Sequence, residues 1–433
     1  MKVKIIAVST YGKEPEKIIE EKFHEYEPKY VVISLKWYDR LYSAIKTAKQ
    51  IRSLNKDVKI IAGGHTASFF DKEILENSDI DIIVRGDGEL PLLNILKNEK
   101  LINVTIKRNN KIIRTPITYV QQESDLKDFF WEHNLENILE NTREAFSKNA
   151  QFVWLGKGCI HNCIYCSGCK ENQKRLFKRK NVIFRPIKNV INDINILNNY
   201  SNLLVLDFDP LIGDNSYQIK LFREMGKRDL KITNILWHLP SKNLLELMNK
   251  IFKRTEIELD IVTFSESFRK FLARKNFIKP FFSNSQLEKM LNITENMDIK
   301  VRLDSIIGMP GETMEDIERG VNYVKKLSQN YPRSMSSLTF KVCMPLNAEP
   351  GSRIHVNPEN FGLICHRKTF EDFLKFSKII YEEDLNYPSV NYPSNRLEKH
   401  PYGIHPINLS EEEIKNRCRI FFNRLNEIFL HKN

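Results

Sequence analysis

The chain has no run of 18 apolar residues, so it has no sequence candidate for a membrane-spanning helix. The first apolar stretch, Ile5–Val8, is broken at once by Gly12-Lys13-Glu14-Pro15, too short a core for a signal peptide. Those two absences predict a cytoplasmic protein that neither crosses nor binds a membrane. Cysteine is scarce outside one short stretch: four of the seven lie between Cys159 and Cys169, and Cys343, Cys365 and Cys418 stand apart. An odd number of thiols in a cytosolic chain argues against a disulfide framework and for a metal at the local cluster. Compositional bias is absent too. With 41% hydrophobic and 28% charged residues the chain is neither disordered nor collagen-like, and 433 residues call for two or three domains.

Basic residues exceed acidic ones, 67 to 55, a formal charge of +12. Lysines interleaved with glutamate and asparagine read as solvated helix faces, so nucleic acid is not an expected partner. The stretch Lys170, Lys174, Arg175, Lys178, Arg179, Lys180 and Arg185 reads first as a solvated loop. Its sharper reading is a surface for an anionic substrate or a peptide leader.

Strands and helices alternate through the first hundred residues: strands Lys4–Val8, Tyr30–Leu35, Val58–Ala62 and Ile80–Val84, helices Pro15–His24 and Tyr42–Leu54. That order predicts a parallel, Rossmann-like sheet over residues 1–115. A small hairpin, Asn103–Lys107 with Lys111–Arg114, ends this domain. A polar connector spans 116–150, with a helix near Leu135–Phe146. Ligands on such sheets bind at the carboxyl ends of the strands, here marked by Ser34, Gly63, Gly64, Gly86 and Gly88.

A second alternating series occupies 151–355. Its strands are Phe152–Leu155, Leu203–Asp207, Thr233–Trp237, Glu256–Thr263, Lys300–Ile307 and Ser337–Cys343. Helices fill the gaps: Ile187–Leu197, Ser216–Lys227, Lys242–Phe252, Ser285–Met297 and Met314–Gln329. Six such units fit a doubly wound sheet or a (βα)6 partial TIM barrel. Nearly all the polar peculiarities fall after strands, the rim where barrels place chemistry. Residues 356–433 form a helical C-terminal region, with helices Phe370–Glu383 and Glu411–Leu430, long enough to cover an open barrel mouth.

The cysteines have the spacing Cys159-x3-Cys163-x2-Cys166. Four thiols, with Cys169, would suit structural zinc. Three would leave one iron of a four-iron cluster without a protein ligand. Spacing alone leaves both open. A zinc-containing nucleic-acid-binding protein is the remote alternative.

Cys159, Cys163 and Cys166, with aromatic Tyr165 before the last, resemble the signature of the radical S-adenosylmethionine (SAM) superfamily. Asp304-Ser305-Ile306-Ile307-Gly308-Met309-Pro310-Gly311-Glu312-Thr313 is similar to its fifth-strand segment, and Glu349-Pro350-Gly351-Ser352 to its sixth-strand loop. Ile61-Ala62-Gly63-Gly64-His65-Thr66 and Val84-Arg85-Gly86-Asp87-Gly88-Glu89 resemble the cobalamin-binding domain that precedes many such enzymes. The first βα unit is shortened, and the loop Ser9–Lys13 lacks the cobalt-ligating histidine of that domain.

The resemblance implies an α/β fold, a shortened Rossmann-like domain followed by a (βα)6 partial TIM barrel. It implies a [4Fe-4S] cluster on Cys159, Cys163 and Cys166, with SAM on the open iron, cleaved reductively to a 5'-deoxyadenosyl radical. A low-potential donor such as flavodoxin or ferredoxin would supply the electron, and the substrate would be a small molecule, a natural product or a peptide. Hydrogen abstraction leading to rearrangement, cyclisation or epimerisation is the first reading, and cobalamin-dependent C-methylation is the alternative. By the same resemblance SAM would be contacted by Asp207 and Asp209 (ammonium), Ser265, Glu266 and Arg269 (ribose or carboxylate), and Gly308, Pro310, Glu312 and Met344. Glu312 would cap the following helix or hold backbone near the adenosine. The strand-end residues Ser34, Gly63, Gly64, Gly86 and Gly88 would form a cobalamin-like site. Cys343 and Cys365 are candidate hydrogen donors.

Overall fold

The structure is a computed structural model. It describes residues 3–6, 14–109, 111–128, 151–211, 214–335, 343–386 and 403–430. The loop Ser9–Lys13, the helix expected near Leu135–Phe146 and most of the strand expected at Ser337–Cys343 lie outside the described residues.

Pro15 opens helix α1 (Pro15–Tyr26), its fixed φ suiting a first helical position. Then follow β1 (Tyr30–Ser34), a single tight turn at Tyr38–Arg40, α2 (Leu41–Leu54), β2 (Lys59–Gly63), α3 (His65–Phe69), α4 (Asp71–Glu76), β3 (Ile82–Val84), α5 (Glu89–Lys97), β4 (Val104–Arg108) and β5 (Lys111–Arg114). The five strands form one sheet in the order β1-β2-β3-β4-β5. β1, β2 and β3 run parallel, whereas β4 is antiparallel to both β3 and β5. The expected hairpin joins the parallel strands as the sheet's antiparallel edge, because Val104 and Ile106 bury against Ile61 and Val84.

The second body begins at β6 (Gln151–Val153) and a two-stranded ribbon, β7 (Gly156–Lys157) with β8 (Ile183–Phe184), that encloses α6 (Lys170–Phe177). It continues through α7 (Ile187–Leu197), β9 (Leu203–Asp207), α8 (Ser216–Met225), β10 (Arg228–Leu236), α9 (Lys242–Ile251), β11 (Phe252–Val262), α10 (Glu266–Arg274), α11 (Asn284–Asn296), β12 (Lys300–Ile307), α12 (Met314–Asn330) and β13 (Cys343–Pro345). The six long-sheet strands are all parallel and lie in chain order, β6-β9-β10-β11-β12-β13, as a (βα)6 partial barrel requires. In β11 and β12, Ile257, Leu259, Ile261, Val301 and Leu303 face the helices and build the main core. The alternate residues Glu258, Asp260, Arg302 and Asp304 share the other, concave face.

α13 (Arg353–Val356), β14 (Leu363–Cys365), α14 (Phe370–Asn386), β15 (Ile404–Pro406) and α15 (Glu411–Leu430) complete the described chain. The two long helices part company. Phe370 and Phe373 of α14 join the core of the first sheet, beside Leu41, Ala44 and Phe70. Tyr381 closes a network there, donating to Glu16 (2.7 Å) and accepting from Lys46 (3.2 Å). Ile414, Cys418, Phe421 and Leu425 of α15 instead bury in the barrel core against α12. The first is claimed by the apolar face of the first body, and the second also reaches the end of β12, where Ile414 lies against Gly308 and Arg417 donates to the Glu312 carbonyl (2.7 Å).

Candidate functional site

The cysteines sit on the excursion between β7 and β8. Its backbone is tied to loops at other strand ends: Ile164 N–H donates to Phe277 (2.9 Å), Ile354 N–H to Ile164 (3.1 Å), and Ser167 N–H to the Glu349 carboxylate (2.6 Å). Ile164 itself is fully buried. Three loops thus converge on the thiols. The Cys159 Sγ accepts from His161 N–H and the Cys166 Sγ from Gly168 N–H, each at 3.3 Å. Burial pushes the Cys159 thiol up to about 11 and those of Cys163 and Cys166 upward as well. A metal must therefore displace their protons.

Among the described residues no three His, Cys, Asp or Glu side chains converge as one metal ion would require. A four-iron cluster takes one thiolate per iron, so three separate thiols on one short loop suit its chemistry. Cys169 is buried at the start of α6.

The other sequence candidates divide. Asp207 ends β9 open to solvent, and desolvation by the surrounding strand ends raises its carboxyl while Lys36 opposes the shift. Asp209 is turned inward. Its Oδ2 accepts from Trp237 N–H (2.6 Å) and His238 N–H (3.1 Å) and contacts His238 Nδ1 at 2.6 Å, so the expected ammonium ligand is engaged by the end of β10.

Ser265 caps α10, accepting from Phe268 N–H, and donates to Asp316 (2.8 Å). Arg269 is 1% exposed and donates to Phe282 (3.1 Å), Thr263 (2.7 Å) and Asn284 (2.7 Å). Its guanidinium is taken up by two backbone carbonyls and one side-chain amide oxygen. Glu266, one residue into α10, is half-buried.

Around Gly308 the chain turns at φ 91°, a conformation suited to glycine. The Glu312 carboxylate accepts from Gly308 N–H (2.6 Å), so of the two expected roles it holds backbone. The cap of α12 is the reciprocal Thr313–Asp316 pair. Pro310 is buried in this turn, and Met344 pairs with Ile306 across the β12–β13 ladder. Burial raises the Glu312 carboxyl to about 8. The folded state then holds a proton that the unfolded chain releases above its ordinary carboxylate range. Stability is expected to fall as pH rises from about 4.5 to about 8, by up to roughly 1.4 kcal/mol per pH unit from this group. In Glu312→Gln that slope should disappear, leaving the variant relatively more stable at pH 8 than at pH 5.5; denaturant unfolding at both pH values checks it.

Cys365, on β14, is buried and donates to the Arg367 carbonyl (3.3 Å), packed with Ile164, Met309 and Leu346. Cys343 pairs with Ser305 in the ladder. The arginines of the basic stretch are engaged, whereas Lys170, Lys174, Lys178 and Lys180 are exposed. Arg175 donates to Gly351 (2.8 Å), and buried Arg179 and Arg185 pair with Asp87 and Asp193. The expected loop is in part helix α6; its lysines are solvated as read, and its arginines are the anchors.

At the first sheet's carboxyl ends, the backbone of Leu35 approaches Gly64 so closely that a Cβ would lie 2.5 Å from its carbonyl oxygen. Gly86 faces Phe177 of α6, whose ring meets His65 edge-on at 4.6 Å. Asp87 accepts from Lys157 (3.0 Å), Gln121 N–H (2.9 Å) and Arg179, and Lys157 also reaches Glu89 (2.7 Å). The acidic turn containing Gly88 is thus an anchor between the two bodies. Ser34 and Lys36 remain exposed at the end of β1 and just beyond it. Lys36 lies within electrostatic reach of His65, Asp207 and Glu349, so both sets of strand ends face one cleft. The chain has no histidine before His24. Exposed Ser34 beside the close-packed glycine pair is where a corrinoid would be held.

Sequence reasoning missed Glu349, Asp260 and Lys279. The first lay in a noted motif and the second in the acid–apolar alternation Glu256–Ile261. Nothing distinguished Lys279 from the other lysines.

Residues 2–96 match the B12 binding domain family. An uncharacterised methyltransferase of Pyrococcus horikoshii is 22% identical over 72% of this chain and 66% of its own length. The anaerobic magnesium-protoporphyrin IX monomethyl ester cyclase of Rubrivivax gelatinosus is 23% identical over 73% of this chain and 57% of its own. The chain therefore spans less than two thirds of these relatives' length. Among solved structures, the radical SAM methyltransferase TsrM of Kitasatospora setae matches 81% of this chain and 70% of its own, with a TM-score of 0.61 at 14% identity. That structure holds tryptophan substrate and a SAM analogue. Another structure of TsrM holds cobalamin and a [4Fe-4S] cluster, and matches with the same TM-score. The fold is shared with a radical SAM methyltransferase, and the match of residues 2–96 to a B12-binding family agrees with the resemblance read from the amino end of the sequence.

Proposed function

We propose that this chain is a cobalamin-dependent radical SAM methyltransferase acting on a small-molecule or peptide substrate. The observation that carries the reading is the pairing of a B12-binding match at 2–96 with a fold shared with TsrM, whose structure holds cobalamin and a [4Fe-4S] cluster. This reverses the order of the two sequence readings, in which hydrogen abstraction without methyl transfer came first.

Cys159, Cys163 and Cys166 would hold the cluster, and the strand ends at Ser34 and Gly63 would hold the corrinoid. Bound there, the cluster supplies a low-potential electron to SAM and the corrinoid a methyl-carrying cobalt. The chain's own residues position and shield. Asp207, open to the cleft, is the acceptor for the SAM ammonium. The Gly308 turn, held by Glu312 and containing Pro310, borders the adenosine together with the Met344 strand. The cleft between the two bodies limits water around the reacting groups. A low-potential donor such as flavodoxin or ferredoxin would deliver the electron.

The likeness to a cyclase supports a second reading, radical rearrangement or cyclisation without methyl transfer. The two separate in one experiment. Protein purified anaerobically and reconstituted with iron and sulfide is offered cobalamin, desalted, and then given SAM and dithionite. A broad visible band that bleaches with dithionite, retained cobalamin absorption and formation of S-adenosylhomocysteine are expected. A cluster without retained cobalamin, yielding 5'-deoxyadenosine alone, favours the second reading. Stoichiometric zinc without a cluster overturns both.

A further inference from the structure

Asp260 is the last concave-face residue of β11 before the strand breaks register. The break is a tight three-residue turn: Thr263 N–H donates to the Ile261 carbonyl (2.8 Å), and Val262 sits at φ 66°. A β-branched residue there is strained, and such strain persists only where surrounding contacts over-determine it. Asp260 is one of those contacts. Its Oδ1 accepts from Val262 N–H (3.2 Å), which leaves Oδ2 to receive the Lys279 ammonium at 2.7 Å. Lys279 is only 5% exposed. It stands two residues beyond Phe277, whose carbonyl anchors Ile164 in the middle of the cysteine loop. Its backbone N–H is bonded to Cys163, and its charge acts on Cys159, Cys163 and His161.

We propose that the Asp260–Lys279 ion pair sets the reduction potential of the cluster, with Lys279 as the charge that favours the reduced state. The inference rests on the cluster assignment made above. Reduction adds one electron to the cluster and makes it one unit more negative, with no bond made or broken; in the test the electron comes from dithionite. A buried ammonium beside the ligating thiolates stabilises that added charge more strongly than it would in water. The Asp260 carboxylate opposes it and fixes where the ammonium stands. A buried ion pair is weak evidence of a stabilising role, because well-packed apolar residues of similar volume often serve as well. The position of this one, against the cysteine loop, gives it a different task. Lys279 is therefore a positioning residue that acts through the cluster.

Opposite charges predict opposite shifts. Anaerobic potentiometry followed by electron paramagnetic resonance would compare the reconstituted 433-residue wild type with Lys279→Met, Lys279→Arg and Asp260→Asn. The midpoint should fall in Lys279→Met, rise in Asp260→Asn and stay near wild type in Lys279→Arg. Iron and sulfide content identify variants that have simply lost the cluster; if Lys279→Met is one, the other two carry the comparison. Midpoints that do not move, or that move the same way in Lys279→Met and Asp260→Asn, overturn the proposal while leaving the cluster reading intact. A wild type that holds no cluster overturns both.

Discussion

Cys163→Ala should lose the dithionite-bleachable visible absorption after reconstitution and, with it, all reductive cleavage of SAM. Iron–sulfur clusters are held by cysteine thiolates, and alanine offers none. The geometry makes this substitution specific. Cys163 lies beside Ile164, whose backbone is bonded on both sides, to Phe277 and to Ile354, and whose side chain is fully buried. Alanine at 163 leaves those anchors in place, so the loop should keep its course while losing a donor. Thermal unfolding of the metal-free protein should change little, whereas iron content after reconstitution should collapse. Cys169→Ala is the matched control: if Cys169 is not a ligand, the absorption survives. Loss of the cluster in Cys169→Ala with retention in Cys163→Ala would overturn the assignment.

The second large effect is expected at the anchor between the two bodies. Asp87 is buried and receives Lys157, Arg179 and the Gln121 N–H. Arg179 is itself 4% exposed. Asp87→Ala strands a buried guanidinium, and breaking a buried pair by removing one partner typically costs about 3–5 kcal/mol. Unfolding in denaturant should register a loss of that order. Arg179→Met in the same background should recover part of it, because no uncompensated charge then remains inside. A loss below about 1 kcal/mol would mean that the anchor is no stronger than a surface ion pair. The turn Gly86–Glu89 also abuts Phe177 at the end of α6, which starts directly after Cys169. Asp87→Ala should therefore lower cluster occupancy as well as stability, an effect that iron analysis would detect.

That anchor also shows where a sequence reading stops. Gly86-Asp87-Gly88-Glu89 stands after a strand, the place where ligands bind, and its likeness to a cobalamin-domain motif pointed the same way. The structure gives its carboxylates to Lys157 and Arg179, cations that the sequence placed on a different domain. Arg269 follows the same pattern. Its position after the fourth barrel strand suggested a ligand contact, but three acceptors, from Thr263, Phe282 and Asn284, surround its guanidinium. Helix Phe370–Asn386 was legible as a helix, and its partners on α2 and the Tyr38 turn, more than 300 residues earlier, were not. Lys279 carried no signal at all, since a buried lysine and a solvated one are written alike.

The sequence by itself determined the elements and the grouping of the thiols on one loop. Leu203–Asp207, Lys300–Ile307, Ile187–Leu197 and Glu411–Leu430 form as read, because strand alternation and helical periodicity depend on neighbours within a few residues. The cysteine spacing is equally local: three thiols within eight residues share a loop in any fold that keeps the loop. Only the tertiary structure decided which charges face the cleft and which hold the molecule together. Partner choice depends on burial and on distances between segments far apart in the chain, and a buried charge settles on whatever opposite charge the fold brings within reach. Asp207 was left open and Asp209 was enclosed although they stand two residues apart, because the end of β10 presents its N–H groups to only one of them.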